Sequence, residues 1–587
     1  MKERLLHVLM LCVGLAALAY WACDRPPVDA VAIGDCVAVG RLPRIRPDYS
    51  GIVIPPNIAP LSFVVDEPGV CYYVEIRSER GENIRVTADT PSIRIPPEAW
   101  RKLLEANHGG ELQLDVHARA ADGSWHRFNT LTNTIAEEEI DGCLTYRLIG
   151  AGYNLWGPLS IRQRNLENYD ESIILANRPS GQGCLNCHTF WNNGTERMIL
   201  QFGGGMVDYG SGMLLVKDGM AGNVDTRTAT CPMPAGYASC HPSGELLAFS
   251  VNKVRQFFHS ARTEVRDVVD LESDLAAYVL ETNSVTSSPG ICDPDLMESY
   301  PAWSADGKHL YFCRAPILWT DRDAPPPERY DEVRYDLMRV SFDLATLSWG
   351  EPETVLSATQ TGQSIMHPRP SPDGRFLLFS MCEYGCFPIY HRGTDLYLMD
   401  LASGDYRRLE CNSDECDSWH CWSSSGRWIA FSSKRGNRLF ARPYFSCVDE
   451  EGRAHKPFVM PQSAPEFYDS LCVHLQRAGA DAGPRARARG GAGRCHPLLD
   501  VAAQQRSRHR RDASGRLARC GRGPLAPQRA AMTALRVAFA RLLSRLGRLA
   551  VGRVSAGLRA APVSALRPVS VLCYAESSCP PAGGEGT

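Results

Sequence analysis

The sequence predicts an all-β protein, with a sandwich-like domain over residues 45–150 followed by a β-propeller of about five or six blades over 193–469. Two observations carry that expectation. A turn-and-strand spelling recurs at blade-length intervals through the second region, and short runs of period-two alternation separated by turn residues fill the first. The only helical signature ahead of the repeats is one short run that opens on proline.

The first 23 residues read as an export signal or anchor. Lys2 and Arg4 precede an apolar run from Leu5 to Ala22 interrupted by His7, the layout of a secretory signal. Ala17-Leu18-Ala19 offers a small-x-small cleavage site, and Cys23 offers a lipid acceptor, although Tyr20 and Trp21 ahead of it are poor lipobox residues. Cleaved, lipidated and uncleaved forms all remain open, and an 18-residue run sits at the lower limit for spanning a bilayer. Each form puts the body outside the cytoplasm, in the periplasm or cell envelope.

In the sandwich-like region, Leu112, Leu114, Val116 and Ala118 alternate with polar partners. Ala121-Asp122-Gly123-Ser124 turns the chain, and Trp125 to Phe128 begin the return strand. Residues 96–104, Pro-Pro-Glu-Ala-Trp-Arg-Lys-Leu-Leu, read as a short helix with proline at its start. The strand spacing suits an immunoglobulin-like or fibronectin-like sandwich, although the diagnostic Cys and Trp arrangement is not evident, and support or partner docking is the expected role.

Residues 179–192 carry the strongest chemical signal. Cys184-Leu185-Asn186-Cys187-His188 spells CxxCH, the attachment pattern of haem c, in which two thiols become thioethers and the imidazole binds iron. On that reading Cys184 and Cys187 hold the porphyrin and His188 is the proximal ligand. Met198, Met206, Met213 and His241 are the downstream candidates for the distal position, with Met and His ligation both open. The bland alternative is a CxxC pair beside an incidental histidine. The Gly-rich stretch Pro179-Ser180-Gly181-Gln182-Gly183 suggests a linker between sandwich and propeller.

The repeat then runs through the chain. It appears as Cys240-His241-Pro242-Ser243-Gly244 before Leu246 to Ser250, and as Trp303-Ser304-Ala305-Asp306-Gly307 before Leu310 to Phe312. Two fuller copies follow, Pro370-Ser371-Pro372-Asp373-Gly374 before Phe376 to Ser380 and Trp422-Ser423-Ser424-Ser425-Gly426 before Trp428 to Ser432. A weaker early copy is Asn192-Asn193-Gly194 before Met198-Ile199-Leu200. The spelling has a turn logic: Asp bonds back to local amides, and Gly takes φ > 0 before a buried strand begins. Successive glycines lie 50, 63, 67 and 52 residues apart, near the period of a propeller blade with loop insertions. Asp274, Asp306, Asp336, Asp373 and Asp395 therefore read as turn caps before they read as metal ligands or acids.

The runs Ser371-Pro372-Asp373-Gly374-Arg375 with Leu377 and Phe379, and Asp395-Leu396-Tyr397 with Asp400-Leu401, resemble the WD-repeat-like blades of the TolB-type propeller family. The resemblance covers about residues 190–460. It implies a propeller fold and, for function, a scaffold that docks envelope proteins, since propellers are generic platforms.

Composition changes abruptly after Ser470. Residues 471–587 hold 20 arginines, no lysine and 5 acids, with Phe539 and Tyr574 as their only aromatics, whereas the body is acidic and aromatic-rich. Such a tail cannot bury a normal core. Arg541, Arg545 and Arg548 among Leu542, Leu543, Leu546 and Leu549 would suit a membrane-surface helix. The alternatives are a nucleic-acid tail or, as the composition favours, an out-of-frame read that costs the propeller its last part and leaves an open ring with exposed edges. The acidic body argues against nucleic acid.

Among the other cysteines, Cys382 and Cys386, Cys411, Cys416 and Cys421, and the distant Cys71 and Cys143 are expected either to form disulfides in an oxidising compartment, with their connectivity open, or to stay as free buried thiols. Cys411, Cys416, His420 and Cys421 also supply enough ligands for zinc, at intervals unlike the usual knuckle. No GxSxG elbow, HExxH helix or GxxxxGK[ST] loop occurs. Two main functions follow from the residues, an exported monohaem c-type electron carrier serving a redox partner or a non-enzymatic envelope scaffold, with a redox enzyme carrying an open haem site as a weaker third.

Overall fold

A computed structural model describes residues 36–150, 159–177, 184–203, 212–217, 220–228, 233–259, 266–321, 327–470 and 473–481. These all lie in one of the two compact units of the chain; the other, 502–570, lies outside the described residues, as do the export signal and the basic tail from 482 onward.

The all-β expectation holds. The N-terminal domain pairs a seven-stranded sheet with a three-stranded one made of Ile45–Arg46, Phe63–Val65 and Ser92–Ile93. The predicted hairpin is present as Glu111–Arg119 and Trp125–Arg127, with Gly123 at φ 91° in its turn. Leu112, Leu114, Val116 and Ala118 point into the core. The helix spans Pro97–Glu105 and buries Trp100, Leu103 and Leu104. Proline suits its first position because the missing N–H would have had no helical partner there.

The domain boundary moves. Cys36–Ala38 already pairs with Trp125–Arg127, and the last sandwich strand is Leu131–Ile135. Cys143–Gly150, assigned from sequence to the sandwich, instead belongs to the propeller.

Six blades of antiparallel strands follow. Blade 1 orders Val473–Asp481, Cys143–Gly150, Leu159–Asn165 and Glu171–Ala176 from the axis outward, and blade 2 orders Cys184–Trp191, Gly194–Gly203, Gly212–Lys217 and Met220–Val224. The inner strands of blades 3 to 6 are Ala238–Cys240, Leu296–Trp303, Ser364–Pro370 and Asp417–Trp422. Each inner strand touches the next, and the sixth returns to the first, so the ring is closed.

That closure corrects the expectation of an open ring. Val473–Asp481 lies beyond the composition break, yet its backbone pairs antiparallel with Cys143–Gly150, from Gly150 against Val473 to Cys143 against Asp481. A chain terminus that completes the blade begun by the other end removes both open edges.

The repeated turns behave as their spelling requires. Ser304 and Ser371 donate to Asp306 and Asp373, whose carboxylates accept from the Lys308 and Arg375 amides at 3.1 Å. Gly307, Gly374 and Gly426 sit at φ 72°, 73° and 69°, a region open to glycine at little steric cost. Asp395 instead pairs with Arg408 at 2.7 Å, and Asp336 accepts from the Ala358 amide.

One hydrophobic core runs through both domains. Trp428, Phe445, Phe458 and Met460 of blade 6 and Leu144 and Tyr146 of blade 1 pack in the same cluster as Trp100, Leu114 and Val116 of the sandwich. Trp428 Nε1 donates to Glu138 O at 3.2 Å, Arg164 to Pro461 O at 2.9 Å and Lys456 to Asp48 at 2.7 Å. The sandwich thus straddles the two blades where the ring begins and ends.

Candidate functional site

In blades 3 to 6 the second strand ends, and the third begins, on the face where the inner strands begin. The described parts of those connections meet over the axis. The blade 3 strands, Leu246–Phe258 and Arg266–Val279, are 13 and 14 residues long and project beyond the blade as a two-stranded arm. The arm passes blade 4 and reaches blade 5: Tyr384 donates to Asp267 at 2.7 Å, Arg266 lies over the Tyr390 ring at 5.3 Å, and Cys386 Sγ faces Val268 O at 3.8 Å. Blade 6 joins through Lys434, 5.7 Å above Tyr390, and blade 4 through Tyr330, edge-on to Phe257 at 4.8 Å.

Below the arm, the axis is filled by interlocking rings. Tyr237 packs on Tyr300 at 4.1 Å, Tyr300 on His367 at 4.2 Å, and His367 stacks on Trp419 at 4.1 Å; Phe387 lies 6.3 Å from Trp419. Tyr300, His367 and Trp419 occupy matching positions at a bulge of their inner strands, with φ 56°, 55° and 50°. A bulky residue in that region costs roughly 1–3 kcal/mol. The stacking of the rings offsets the strain, which three blades repeat.

Two acids sit in this buried layer. Asp270 is 1% exposed; its Oδ2 accepts from Asn252 at 3.1 Å, Asn252 also donates to Ser299 at 3.0 Å, and Oδ1 has no hydrogen-bond partner among the described residues. Burial, only partly offset by Asn252, Cys386 and Ser299, pushes its carboxyl up to about 7. Glu298 is pushed up to about 7 by burial despite Arg314 at 3.1 Å. His420 Nε2 donates to His367 O at 2.8 Å, and burial pushes its imidazole down to about 3, so it is neutral at ordinary pH.

The CxxCH segment is not a linker. It is the inner strand of blade 2, and its register with Gly194–Gly203 carries a bulge between Asn186 and His188. Cys184 pairs with Gly203 and His188 with Leu200, so strand alternation puts Cys184 on one face of the sheet and His188 on the other. His188 faces blade 1, with Nε2 3.3 Å from Thr145 O, in the cluster side that holds Leu185, Phe190 and Leu200. Both residues are buried. Haem c requires the cysteines and the histidine to address one porphyrin, and this arrangement does not fit it.

The distal candidates scatter likewise. Met198 lies on the His188 side and Met213 on the opposite side. His241 bridges two turns, with Ser243 Oγ at 2.8 Å and Gly307 O at 3.0 Å on its two nitrogens. Met206 lies outside the described residues.

The cysteine expectations are also revised. Cys71, Cys382, Cys386, Cys411 and Cys416 carry free thiols, whereas Cys143 is disulfide-bonded. Cys382 and Cys416 lie against the carbonyls of Tyr384 and Pro388 at 3.2 and 3.3 Å, which satisfies their weak donors. Among the described residues no group of three or more His, Cys, Asp or Glu is placed to hold a metal, so the zinc alternative at Cys411, Cys416, His420 and Cys421 is not assembled.

Sequence reasoning missed the arm and the axial rings. A signal existed for each: Leu246–Phe258 and Arg266–Val279 are far longer than a blade needs, and Tyr237, Tyr300, His367 and Trp419 each stand seven residues before a turn glycine.

No family model matches the chain, and no curated protein matches it. Among solved structures it is similar to a puromycin-hydrolysing peptidase of Mycobacterium tuberculosis (14% identity, 48% of this chain and 39% of that one, TM-score 0.31). It is similar also to the periplasmic gluconolactonase of Pseudomonas aeruginosa (12%, 57% and 99%, 0.32) and to the Dos1 propeller (11%, 48% and 63%, 0.29). The chain spans well under half the length of the peptidase. At such scores the likeness says nothing about activity, and the propeller assignment rests on the strand pairing itself. Among the described residues no helix is long and apolar enough to cross a membrane.

Proposed function

We propose that the chain is an exported binding scaffold whose propeller presents the face of converging connections to an envelope protein. One observation supports this most. Arg392 and Arg438, from the connections of blades 5 and 6, both reach the single carboxylate of Glu415 at 2.9 Å while remaining 57% and 70% exposed at their side chains. Two cations on one acid leave positive charge in excess, and Leu439 beside them is 65% exposed. Exposed arginine next to an exposed apolar side chain is the composition of an interface anchor, and an acidic, partly apolar protein segment complements it. The long rigid sheets beneath hold these groups in place.

A photo-crosslinking residue introduced at Leu439, and as a control at Tyr406 on the outer strand of blade 5, tests the reading in cells. A discrete adduct is expected at 439 and not at 406, and it should disappear in the Arg392→Glu, Arg438→Glu double variant. No adduct at 439, or one indifferent to the arginines, refutes it.

The pentapeptide at 184–188 favours a second reading, a monohaem c-type electron carrier. It requires the first half of the inner strand of blade 2 to leave its sheet so that Cys184 and His188 face the same way; the Cys187 side chain lies outside the described residues. Mass analysis of the exported polypeptide, made with a periplasmic haem-maturation system, separates the readings. Covalent porphyrin mass on the 184–188 peptide establishes the carrier, and the unmodified mass leaves the scaffold.

A further inference from the structure

The blade 3 arm has the parts of a hinged cover. Its pairing is regular on both sides of one irregularity: Lys253 opposes Glu272, but Val254 opposes Asp270, leaving Leu271 as an extra residue. A bulge of this kind bends a ribbon and weakens its ladder locally. Inside the bulge lies the blade, Leu246 to Asn252 with Ser273 to Val279. Outside it lies the arm, Val254–Phe258 with Arg266–Asp270, whose tip contacts are Asp267 with Tyr384, Arg266 with Tyr390 and Phe257 with Tyr330. Val268, Val269 and Leu271 pack in the same cluster as the axial rings Tyr237, Tyr300 and Trp419, so lifting the arm uncovers the axis.

The polar node sits at this hinge. Asp270 is the residue next to Leu271, and the Asn252 amide ties it to Ser299 of blade 4. We propose that the arm is a cover over the propeller axis that bends at Leu271 and is released when the Asp270 carboxyl loses its proton.

The groups facing Asp270 come from every element packed on it. They are Asn252 on its own sheet, Ser299 and Tyr300 on blade 4, Tyr335 on the blade 4 connection and Cys386 on the blade 5 connection; Tyr237 adjoins from blade 3. Asp267, His259 and Arg266 lie further out on the arm. Burial holds Cys386, Tyr300 and Tyr335 well above their ordinary values, so they stay neutral near pH 7. No cation is among the first group. An ionised Asp270 would therefore stand buried with no counter-charge among these neighbours, a costly state that water relieves only when the arm lifts.

The sign follows from linkage. The closed arm holds the proton up to about pH 7, whereas an exposed aspartate releases it near 3.8, so closure is favoured at low pH and weakens as pH rises from about 4 to 7. From pH 5 to pH 8 the opening equilibrium should grow on the order of 50-fold. Glu298 titrates in the same range, but its charged neighbours are Arg314, Asp274 and Asp293, and a variant at 270 isolates the hinge.

Hydrogen exchange of the full chain, expressed as protection factors so that the intrinsic pH effect cancels, reads the opening. Amides of 254–258 and 266–270 should lose protection on the order of 50-fold between pH 5 and 8 while 246–252 keep theirs. Asp270→Asn, neutral at every pH, should abolish that loss. Should that variant not fold, Tyr384→Phe removes the tip hydrogen bond and leaves the hinge acid intact; it should raise opening equally at both pH values and keep the pH slope. Equal protection of the arm at pH 5 and 8, the same loss in Asp270→Asn, a pH slope removed by Tyr384→Phe, or a loss spread evenly into 246–252 would overturn the proposal.

Discussion

A chain ended at Ser470 is expected to lose its cooperative fold and aggregate, whereas one ended at Asp481 keeps it. The strand Val473–Asp481 pairs with Cys143–Gly150 at seven positions. At a net value of about 0.5–1.5 kcal/mol for each main-chain hydrogen bond, losing the strand removes an amount comparable to a whole domain's stability of about 5–15 kcal/mol. It also strips Cys143–Gly150 of its partner and bares an edge next to the axis, a template for association. Denaturant titration and light scattering of the two truncations read the difference. Equal stability of the pair would mean that the closing strand contributes nothing.

Trp428→Ala carries the second large effect. Trp428 is fully buried in the core that sandwich and propeller share, its indole N–H bonded to Glu138 O and its ring near Phe458 at 6.5 Å. Removing such a side chain costs about 3–5 kcal/mol. The consequence reaches beyond one blade, because the lost volume lies between Phe445 and Phe458 on one side and the sandwich apolar residues on the other. Chemical denaturation of the variant should show one transition at a lower midpoint for both domains. Two separate transitions, with the sandwich unshifted, would show that the domains are independent.

What the sequence made legible was local. Turn chemistry at Asp306-Gly307 and Asp373-Gly374, alternation from Leu112 to Ala118 and the proline-led helix at 97–105 each follow from short-range rules, and each appears where expected. What escaped were choices made by distant residues. Cys143–Gly150 looks like any strand, and only its partner at 473–481 makes it propeller rather than sandwich. Val473, His474, Leu475 and Gln476 do alternate, but the change in charge around them concealed a strand of four such residues. CxxCH shows the opposite limit: a motif is read along the chain, whereas the faces on which Cys184 and His188 fall depend on pairing with Gly203 and Leu200. The axial rings were hidden for the same reason, since Tyr237, Tyr300, His367 and Trp419 come from four blades and meet only once the ring closes.

Ring closure is the claim on which the axis, the arm and the presenting face all depend. Backbone amide exchange in the full-length chain tests it most directly, followed at 143–150 and 473–481 together. A closed six-bladed ring predicts that both segments are protected to the level of the inner strands Leu296–Trp303 and Ser364–Pro370. Free exchange throughout 473–481, with 143–150 exchanging as an unpaired edge, would contradict it.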